Sequence, residues 1–401
     1  MIEWAEDEIM VRDMVRDWIG KEVRPVLDEL DSGELLPYEL IRGLYTTFGM
    51  RDMAASSFDS RIEKEKAGIA PEPKKDRGDA GAAFSMIPII ELCKVAPGLV
   101  TAMGVSLGLA AGTIMKRGTV EQKIRWGRDL QTFDKIGAWA ITEPDSGSDA
   151  FGGMKSTARP DGEGGWILNG NKTFITNGPN ADTIVFYAKL DDGRPVRERE
   201  ILCFVLDSGM EGLVQSKPLR KMGCHSSPTG ELFLADVRVG KDRLLEGGGS
   251  GKESAKANFT TERAGVAAMA LGVIEECLRL SIDYAKSRVA WGKPIADYQL
   301  IQLKLAKMEV ARVNVQNMVF RHVEMQKAGR TPTLAEASAM KLYSAQAASE
   351  VAMEAVQLFG GNGYMSEYRV EQLARDAKAF QIYAGTDELQ ITHIARDLLS
   401  R

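Results

Sequence analysis

The sequence predicts an α+β protein in which a strand-rich middle region separates two mainly helical regions. Three observations support this: apolar residues at helical spacing before residue 130, alternating and β-branched segments after it, and a return to long helical patterns beyond a glycine-rich linker at 247–251. A chain of 401 residues is long enough for two or three packed units. We predict an N-terminal helical domain at 1–130, a middle antiparallel β-barrel or sandwich at 131–246, and a C-terminal helical bundle at 247–401.

The N-terminal region is predicted to be helical because apolar residues recur at helical spacing between charges over 9–23 and again over 41–53. Residues 56–81 are dominated by charge, Pro and Gly, which predicts a solvated loop, either a surface insertion or a lid over a site. Helices should resume at Ala83. The apolar run 98–115 is interpreted as a buried helix pair, too weak for a membrane span.

The middle region has the signals of strands and turns. Asn169-Gly170 lies between two short β-type segments, 166–168 and 173–176, which predicts a hairpin. Further strands are predicted at 184–188, 201–206 and 232–239. In the C-terminal region, apolar residues follow one helix face over several long segments. The predicted helices are 264–288, 301–326, 334–359, a short helix near 370–379, and 387–399.

Composition excludes several classes of function. Hydrophobic residues make up 44% and charged residues 27% of the chain, as in ordinary globular proteins, and a net charge of -5 gives no reason to expect a nucleic-acid partner. The four cysteines are widely spaced, which predicts buried free thiols in a reducing compartment. The first residues are acidic and lack the basic start of a signal peptide, so we expect a cytoplasmic protein. Three scattered histidines do not predict a metal site.

Two segments of the middle region carry the most specific pattern. Residues 139–149 (Trp-Ala-Ile-Thr-Glu-Pro-Asp-Ser-Gly-Ser-Asp) run from an apolar stretch into a loop rich in hydroxyls and backbone donors, and 169–178 (Asn-Gly-Asn-Lys-Thr-Phe-Ile-Thr-Asn-Gly) form a second such stretch. Either alone could be a strand whose hydroxyls cap their own turn. Together, and in this order, they resemble the middle domain of the acyl-CoA dehydrogenase family.

Three C-terminal motifs agree with that resemblance: 288–295, 357–364 and 382–390. The resemblance extends from about Ala83 to the end and is weaker before it, where the family's usual Pro…Tyr-Gly-Gly stretch is missing. It implies the acyl-CoA dehydrogenase fold, with a C-terminal four-helix bundle, and FAD as cofactor. It assigns FAD contacts to residues from both regions. Those of the middle region are Trp139, Ile141, Thr142, Gly147, Ser148, Phe174 and Thr176. Those of the C-terminal region are Arg288, Trp291, Gln299, Gln357 and Gly361, which would serve a neighbouring subunit, and also Thr386 and Glu388.

The chain departs from the family at Ala384, where many members carry the glutamate that removes the substrate α-proton. A subset of the family carries its base on the first long C-terminal helix, and Glu262 occupies that position. Otherwise Glu262 could be a helix-start residue favoured by the macrodipole. The backbone N–H of Ala384 would still bind the thioester carbonyl. The resemblance and the apolar pattern assign substrate contacts to Ser148, Arg263, Tyr383, Gly385, Met103 and Leu107.

The resemblance implies FAD-dependent α,β-dehydrogenation of an acyl thioester, most simply an acyl-CoA, with electrons passed to an electron-transfer flavoprotein. It also implies a homo-oligomer built as a dimer of dimers, or a heterotetramer with a related chain. Two alternatives stay open. One is a non-catalytic subunit that completes the FAD or CoA site of a partner chain, and the other is an enzyme with a carrier-bound substrate or with oxygen as acceptor.

Overall fold

The computed structural model describes residues 3–69, 80–247 and 251–400, and it confirms the predicted order of helices, strands and helices. The domain limits at 130/131 and 246/247 stay a prediction. The N-terminal helices are α1 Glu6–Trp18, α2 Leu27–Ser32, α3 Tyr38–Thr47, α4 Met50–Lys66, α5 Ala80–Cys93, α6 Pro97–Gly104, α7 Gly112–Arg117, α8 Val120–Gln122 and α9 Arg128–Gln131. Segments of π-helix at Ile19–Val23, Val105–Ala111 and Lys123–Gly127 join some of them.

The predicted loop at 56–81 is wrong over its first part, because 56–66 belongs to α4. Phe58 and Ile62 are buried on one face of this helix and pack with Met115 of α7. Glu65 lies at the edge of the same face, where it accepts from Arg61 at 3.1 Å and pairs with Lys123 at 2.7 Å, while Glu63, Lys64 and Lys66 are exposed. The alternating charges are therefore the solvated side of a helix. The Pro- and Gly-rich part, 70–79, lies outside the described residues, so neither the surface-insertion nor the lid hypothesis is tested there.

The apolar run predicted as a helix pair is one helical stretch, Pro97–Arg117, formed by α6, a π-helical segment and α7. By length and composition it could cross a membrane, with a mean hydropathy of 1.6, but 56% of its most apolar window is buried inside the protein. Asn177 reaches across from the middle region and donates to the Ala102 carbonyl of this stretch at 2.9 Å. The helix therefore carries part of the surface between the helical and strand-rich regions.

The middle region is a seven-stranded sheet with the order β1-β4-β2-β3-β7-β6, and β5 also pairs with β4. It departs from an all-antiparallel sheet because β1 and β2 both run parallel to β4. The sheet has its own buried apolar core, which includes Ile184, Phe186 and Phe204. The strands are β1 Gly137–Ala140, β2 Thr157–Pro160, β3 Trp166–Thr176, β4 Thr183–Leu190, β5 Ile201–Asp207, β6 Leu213–Gln215 and β7 Thr229–Val239.

The predicted hairpin at Asn169-Gly170 is wrong, because both flanking segments belong to the single strand β3. Gly170 has φ +150°, and a Cβ there would lie 2.2 Å from the Ser156 Oγ, so close approach rather than a turn explains this glycine. The pairing of β3 with β7 shifts register between Leu168 and Gly170 and again between Lys172 and Ile175. The second irregularity re-aims the side chains at the end of the strand.

The C-terminal helices are α10 Gly251–Ser287, α11 Gln299–Lys327, α12 Leu334–Phe359, α13 Val370–Phe380 and α14 Asp387–Leu399. A short hairpin, β8 Val289–Ala290 and β9 Lys293–Pro294, joins α10 to α11. One buried apolar cluster contains side chains of α1, α5, α10, α11 and α12, so the two helical regions share a core. The sheet core is separate, and the candidate site lies where the helical core and the sheet meet.

Candidate functional site

The structure brings the two middle-region motifs together. We call residues 139–149 and 172–177 the shelf. The Thr173 N–H donates to the Thr142 carbonyl at 3.0 Å, and the Lys172 ammonium donates to the Ile141 carbonyl at 3.2 Å. The loop after β1 and the end of β3 thus form one hydrogen-bonded surface within one chain.

An ion pair missed by the sequence analysis locks the shelf. Lys172 is fully buried and binds Glu143 at 2.8 Å, while Glu143 also accepts from the backbone N–H groups of Lys155 and Ser156 at 2.5 and 3.0 Å. Burial lowers the pKa of Lys172 to about 8 against the charge of Glu143. Burial also opposes ionisation of Glu143, but Lys172 and the hydrogen bonds outweigh it and hold the pKa of Glu143 below its usual value. The sequence carries little signal for this pair, because Lys172 and Glu143 stand among other polar residues of the two motifs.

Most of the predicted ligand contacts on the shelf are exposed or half-buried. Phe174, at the strand irregularity, has φ +56° and is 68% exposed, while Thr142 and Thr176 are half-buried and Ser148 is exposed. Gly147 is also exposed; Ile141 is buried and Trp139 half-buried, with the Trp139 ring packed edge-on against Tyr187. An exposed aromatic ring and accessible hydroxyls on one hydrogen-bonded surface are the chemical groups that a flat ring with polar edges requires, so these residues fit an isoalloxazine group.

Asn177 ties the shelf to the helices and was also missed by the sequence analysis. It is fully buried, has φ +62°, and donates to the carbonyls of Ala102 at 2.9 Å and Gly137 at 3.0 Å. Tyr38 of α3 donates to its side-chain oxygen at 3.2 Å. An asparagine tolerates this left-handed conformation and can use its amide in a buried hydrogen-bond network. The Asn in the motif Thr-Asn-Gly is the sequence signal that could have identified this role.

The loop between α13 and α14 carries the second part of the site. Ala384 has φ +54° although it is not glycine, and Gly385 follows with φ +85°. A left-handed alanine costs about 1–2 kcal/mol and persists only where its surroundings hold it. Gln390 holds it by donating to the carbonyls of Ala384 at 3.1 Å and Gly385 at 2.7 Å. Backbone strain of this kind is concentrated at functional sites.

Glu262 lies beside this loop, within α10. The helix begins at Gly251, so Glu262 is about three turns inside it and the helix-start explanation is wrong. Burial raises the pKa of Glu262 to about 7, against the positive charges of Arg263 and Lys341. Tyr383 is near enough that the charge of Glu262 adds to burial and to Cys224 and Cys93 in raising the pKa of the phenol. Glu262 is therefore a carboxyl group with a raised pKa, within electrostatic reach of Tyr383 in the loop.

The other predicted substrate contacts surround the same loop. Arg263 is 2% exposed and donates to the Ser338 hydroxyl at 2.8 Å, and its guanidinium lies close to the loop, since a Cβ added to Gly385 would be 3.6 Å from Nη2. Met103 and Leu107 are half-buried and pack, as do Tyr383 and Ala384, against the core shared by the helical regions. Thr386 and Glu388, predicted to contact the cofactor, lie at the start of α14, half-buried and exposed respectively.

The remaining cofactor residues lie apart, on the surface of the C-terminal bundle. Trp291 is 91% exposed at the tip of the β8–β9 hairpin with φ +48°, and Arg288, Gln299, Gln357 and Gly361 are also exposed. Two of these motifs meet, because Tyr284, one turn before Arg288, stacks on Phe359 at 4.0 Å and its hydroxyl accepts from Asn362 at 3.0 Å. Within the described residues, no hydrogen bond joins this group to the shelf.

Comparison with known proteins agrees with this geometry. The family model for the acyl-CoA dehydrogenase middle domain matches residues 138–237, and the model for the acyl-CoA dehydrogenase C-terminal domain matches residues 249–399. An acyl-CoA dehydrogenase of Bacillus subtilis is 35% identical over 98% of both chains. A 3-(aryl)acrylate reductase of Clostridium sporogenes is 34% identical over 99% of both. The structure of butyryl-CoA dehydrogenase from Megasphaera elsdenii superposes over the full length of both chains, with a TM-score of 0.84 and 32% identity.

The resemblance thus covers the shelf, the Ala384 loop, α10 and the exposed bundle motifs. The chain belongs to the acyl-CoA dehydrogenase family.

Proposed function

We propose that this chain oxidises an acyl-CoA to the trans-2-enoyl-CoA, with Glu262 as the base. The observation that carries this proposal is the position of Glu262: a carboxyl group with a pKa of about 7 stands next to the strained loop where the family's usual glutamate is replaced by Ala384. A general base works best when its pKa lies near the working pH.

FAD is the cofactor, and the shelf is the part of this chain that fits it. Phe174 would pack on the ring system, Thr142 and Thr176 would hydrogen-bond its polar edge, and Ser148 would lie near the pyrophosphate. When bound, FAD accepts the hydride that leaves the substrate Cβ. The residues Arg288, Trp291, Gln299, Gln357 and Gly361 would bind the FAD of a neighbouring subunit, with the Arg288 guanidinium on the pyrophosphate.

The chain's own residues would handle the proton. The Ala384 N–H donates to the thioester carbonyl oxygen and stabilises the negative charge that develops there, which makes the α-proton more acidic. Glu262 takes that proton on a carboxylate oxygen as the Cα–Cβ double bond forms and hydride leaves Cβ. Alanine at position 384 keeps the backbone N–H and lacks only the carboxylate. The Ala384 N–H would therefore activate the substrate, and the Glu262 carboxylate would accept its proton.

Activity should depend on pH with a definite sign. The base must be ionised to accept a proton, so turnover should be low below the pKa of Glu262 and rise with pH through about 7. The measurement is the pH profile of anaerobic flavin reduction by an acyl-CoA. A rate that is already at its plateau at pH 5 would contradict a base with this pKa.

The assembly we propose is a homotetramer built from dimers in the cytoplasm, which passes electrons to an electron-transfer flavoprotein. Support for an oligomer comes from α11, where Leu300, Leu303, Val310 and Val313 are exposed and share one side at helical spacing. The exposed Trp291 hairpin adjoins the start of that helix. A homotetramer would cover both surfaces.

The deciding experiment uses this chain purified without partners and titrated anaerobically with a panel of acyl-CoAs. The wild-type flavin should bleach with at least one of them. Glu262→Gln should keep FAD and enoyl-CoA binding while turnover falls by about 10²–10⁴-fold, the usual contribution of a positioned base. Full-rate reduction in Glu262→Gln would exclude this base.

The second candidate function is a non-catalytic subunit that completes the FAD or CoA site of a partner chain. Ala384 favours it, because the common catalytic position lacks a proton acceptor. It predicts that the wild-type chain alone reduces its flavin with none of the acyl-CoAs and that Glu262→Gln changes nothing. Activity restored only by adding a related chain would support it.

A further inference from the structure

Lys341 contacts the Ala384 loop but touches no reacting group of the proposed dehydrogenation. It belongs to α12, and its side chain is fully buried. Its ammonium donates to the Gly385 carbonyl at 2.9 Å and to Asp387 of α14 at 3.2 Å. Burial lowers the pKa of Lys341, and the charge of Asp387 opposes that effect. Burying an ammonium costs free energy unless it is paired, so the hydrogen bonds to Gly385 and Asp387 are what allow Lys341 to be buried here.

The ammonium is one of two donors that clamp the strained backbone. Gln390 reaches from α14 to the carbonyls of both Ala384 and Gly385, and the lysine reaches from α12 to the second of them. Asp387, which binds the ammonium, also accepts from Gln381 on the other side of the loop at 3.0 Å. Holding these carbonyls fixes the peptide planes that follow Ala384 and so maintains its left-handed conformation.

The charge of Lys341 also acts on Glu262. Lys341 and Arg263 are the two cations that oppose the effect of burial on Glu262 and favour its carboxylate form. Glu262 also acts on Tyr383 of the loop, because burial raises the pKa of that phenol and the charge of Glu262 adds to the increase. Behind the cations lie Asp387, bound to Lys341, and His393, 3.4 Å from the Arg263 guanidinium. Lys341 therefore contacts one half of the proposed proton-transfer site and influences the other through its charge.

We propose that Lys341 is a positioning residue for the dehydrogenation. Its ammonium holds the Ala384–Gly385 backbone so that the Ala384 N–H faces the thioester carbonyl, and its charge keeps Glu262 ready to accept the α-proton. This inference rests on the proposed function, since it takes Glu262 as the base. A buried lysine that touches no reacting atom thus couples the group that activates the substrate to the group that deprotonates it.

The test compares two changes at this position with two others. Lys341→Met removes both donor and charge, whereas Lys341→Gln removes the charge and keeps a donor. Gln390→Met loosens the clamp without changing any charge. Lys123→Met is the matched control, because it also removes a mostly buried ammonium, paired with Glu65 at 2.7 Å in the N-terminal helices.

Three readouts separate positioning from a merely structural role. The first is kcat and KM for the best acyl-CoA, and the second is the pH profile. The third is α-proton removal from a 3-thia-acyl-CoA, followed by absorbance of the bound thioester. Sulfur at position 3 leaves no β-hydride to transfer, so the third readout reports proton removal without turnover.

Lys341→Met should lower kcat by about 10- to 100-fold with little change in KM, the scale expected when reacting groups are displaced. Its pH profile should move to higher pH, because loss of a nearby positive charge disfavours the Glu262 carboxylate. Proton removal from the 3-thia-acyl-CoA should need the same higher pH. Lys341→Gln should show that pH shift with a smaller loss of rate, Gln390→Met a loss of rate without the shift, and Lys123→Met neither.

A folded Lys341→Met variant with the wild-type rate and pH profile would overturn the proposal. If Lys341→Met does not fold, the Lys341→Gln variant tests the proposal instead. A Lys341→Gln pH profile that matches the wild type would then overturn the proposal. Failure of the proposed function is distinguishable, because then Glu262→Gln would keep the full rate of flavin reduction. An inactive Glu262→Gln beside an unaffected Lys341→Met would defeat only the role given to Lys341.

Discussion

The shelf and the Trp291 hairpin are both assigned to FAD, yet they are built in opposite ways. The shelf is tied together within the chain by the buried Lys172–Glu143 pair and by the Thr173–Thr142 hydrogen bond. The hairpin exposes Arg288 and Trp291 on the bundle surface. A binding surface that its own chain fully supports is ready for a ligand, whereas an exposed tryptophan in a strained conformation is typical of a surface that another molecule covers.

In the proposed assembly, one chain would hold one end of FAD and lend its hairpin to the other end of a neighbour's FAD. Changes at the shelf should then affect folding first, and changes at the hairpin should affect cofactor retention and assembly first.

The largest effect on stability should come from breaking the buried pair. Lys172→Met leaves Glu143 charged and buried without its partner, and should lower the free energy of unfolding by about 3–5 kcal/mol. Denaturant unfolding measures it. The matched control is Lys155→Met, the same substitution in an exposed pair with Asp145, which should have no measurable effect. Equal stabilities for the two variants would show that the shelf is not locked as described.

A smaller effect, on cofactor binding alone, is expected at the hairpin. Arg288→Ala should weaken FAD retention by about 1.5–3 kcal/mol, the loss of a charge-assisted hydrogen bond, while stability of the apoprotein stays unchanged. FAD release on dilution, followed by fluorescence, measures it. The control is Arg279→Ala, an exposed arginine of α10, the helix that ends just before Arg288, and it binds Glu276 and Asp283. Normal retention in Arg288→Ala would remove Arg288 from the FAD site.

The smallest effect on the isolated chain is predicted at Trp291. Trp291→Gly relieves a left-handed tryptophan, so the unfolding free energy of the monomer should change by no more than about 1 kcal/mol. The assembly should nevertheless weaken, which light scattering over a dilution series would detect. A variant that keeps the wild-type mass at every concentration would show that the hairpin tip is not covered by a neighbour.

Much of this architecture could be predicted from the sequence because its signals are local. The C-terminal helices carry long apolar stripes, and the predicted helix at 334–359 has the bounds of α12, which begins with Thr333 as its N-cap. The charged segment 56–66 was predicted to be a loop because its helix buries only Phe58 and Ile62 and so has almost no apolar stripe in the sequence. The prediction of a hairpin at Asn169-Gly170 is wrong because Gly170 allows close packing against Ser156 and does not form a turn.

In the candidate site, only the residues that belong to recognisable motifs could be predicted from the sequence. Thr142, Phe174 and Glu262 stand out in the sequence, whereas Lys172 with Glu143 and Lys341 with Asp387 are pairs whose members are separated along the chain. A lysine in a strand or helix usually indicates a solvated face, and only the fold shows that these two are buried. Burial, which raises the pKa of Glu262 to about 7, is likewise a property of the packed helices.

The most direct test of a site shared between neighbours is a hybrid of two defective chains, Arg288→Ala and Glu262→Gln, co-expressed with different tags and assayed at limiting FAD. The Arg288→Ala chain keeps its shelf and Glu262, and in the hybrid it receives Arg288 from the other chain. We predict that the hybrid dimer regains flavin reduction at about one of its two sites, while each parent stays defective. A hybrid no more active than its parents would mean that Arg288 serves its own chain's FAD, and would contradict the account.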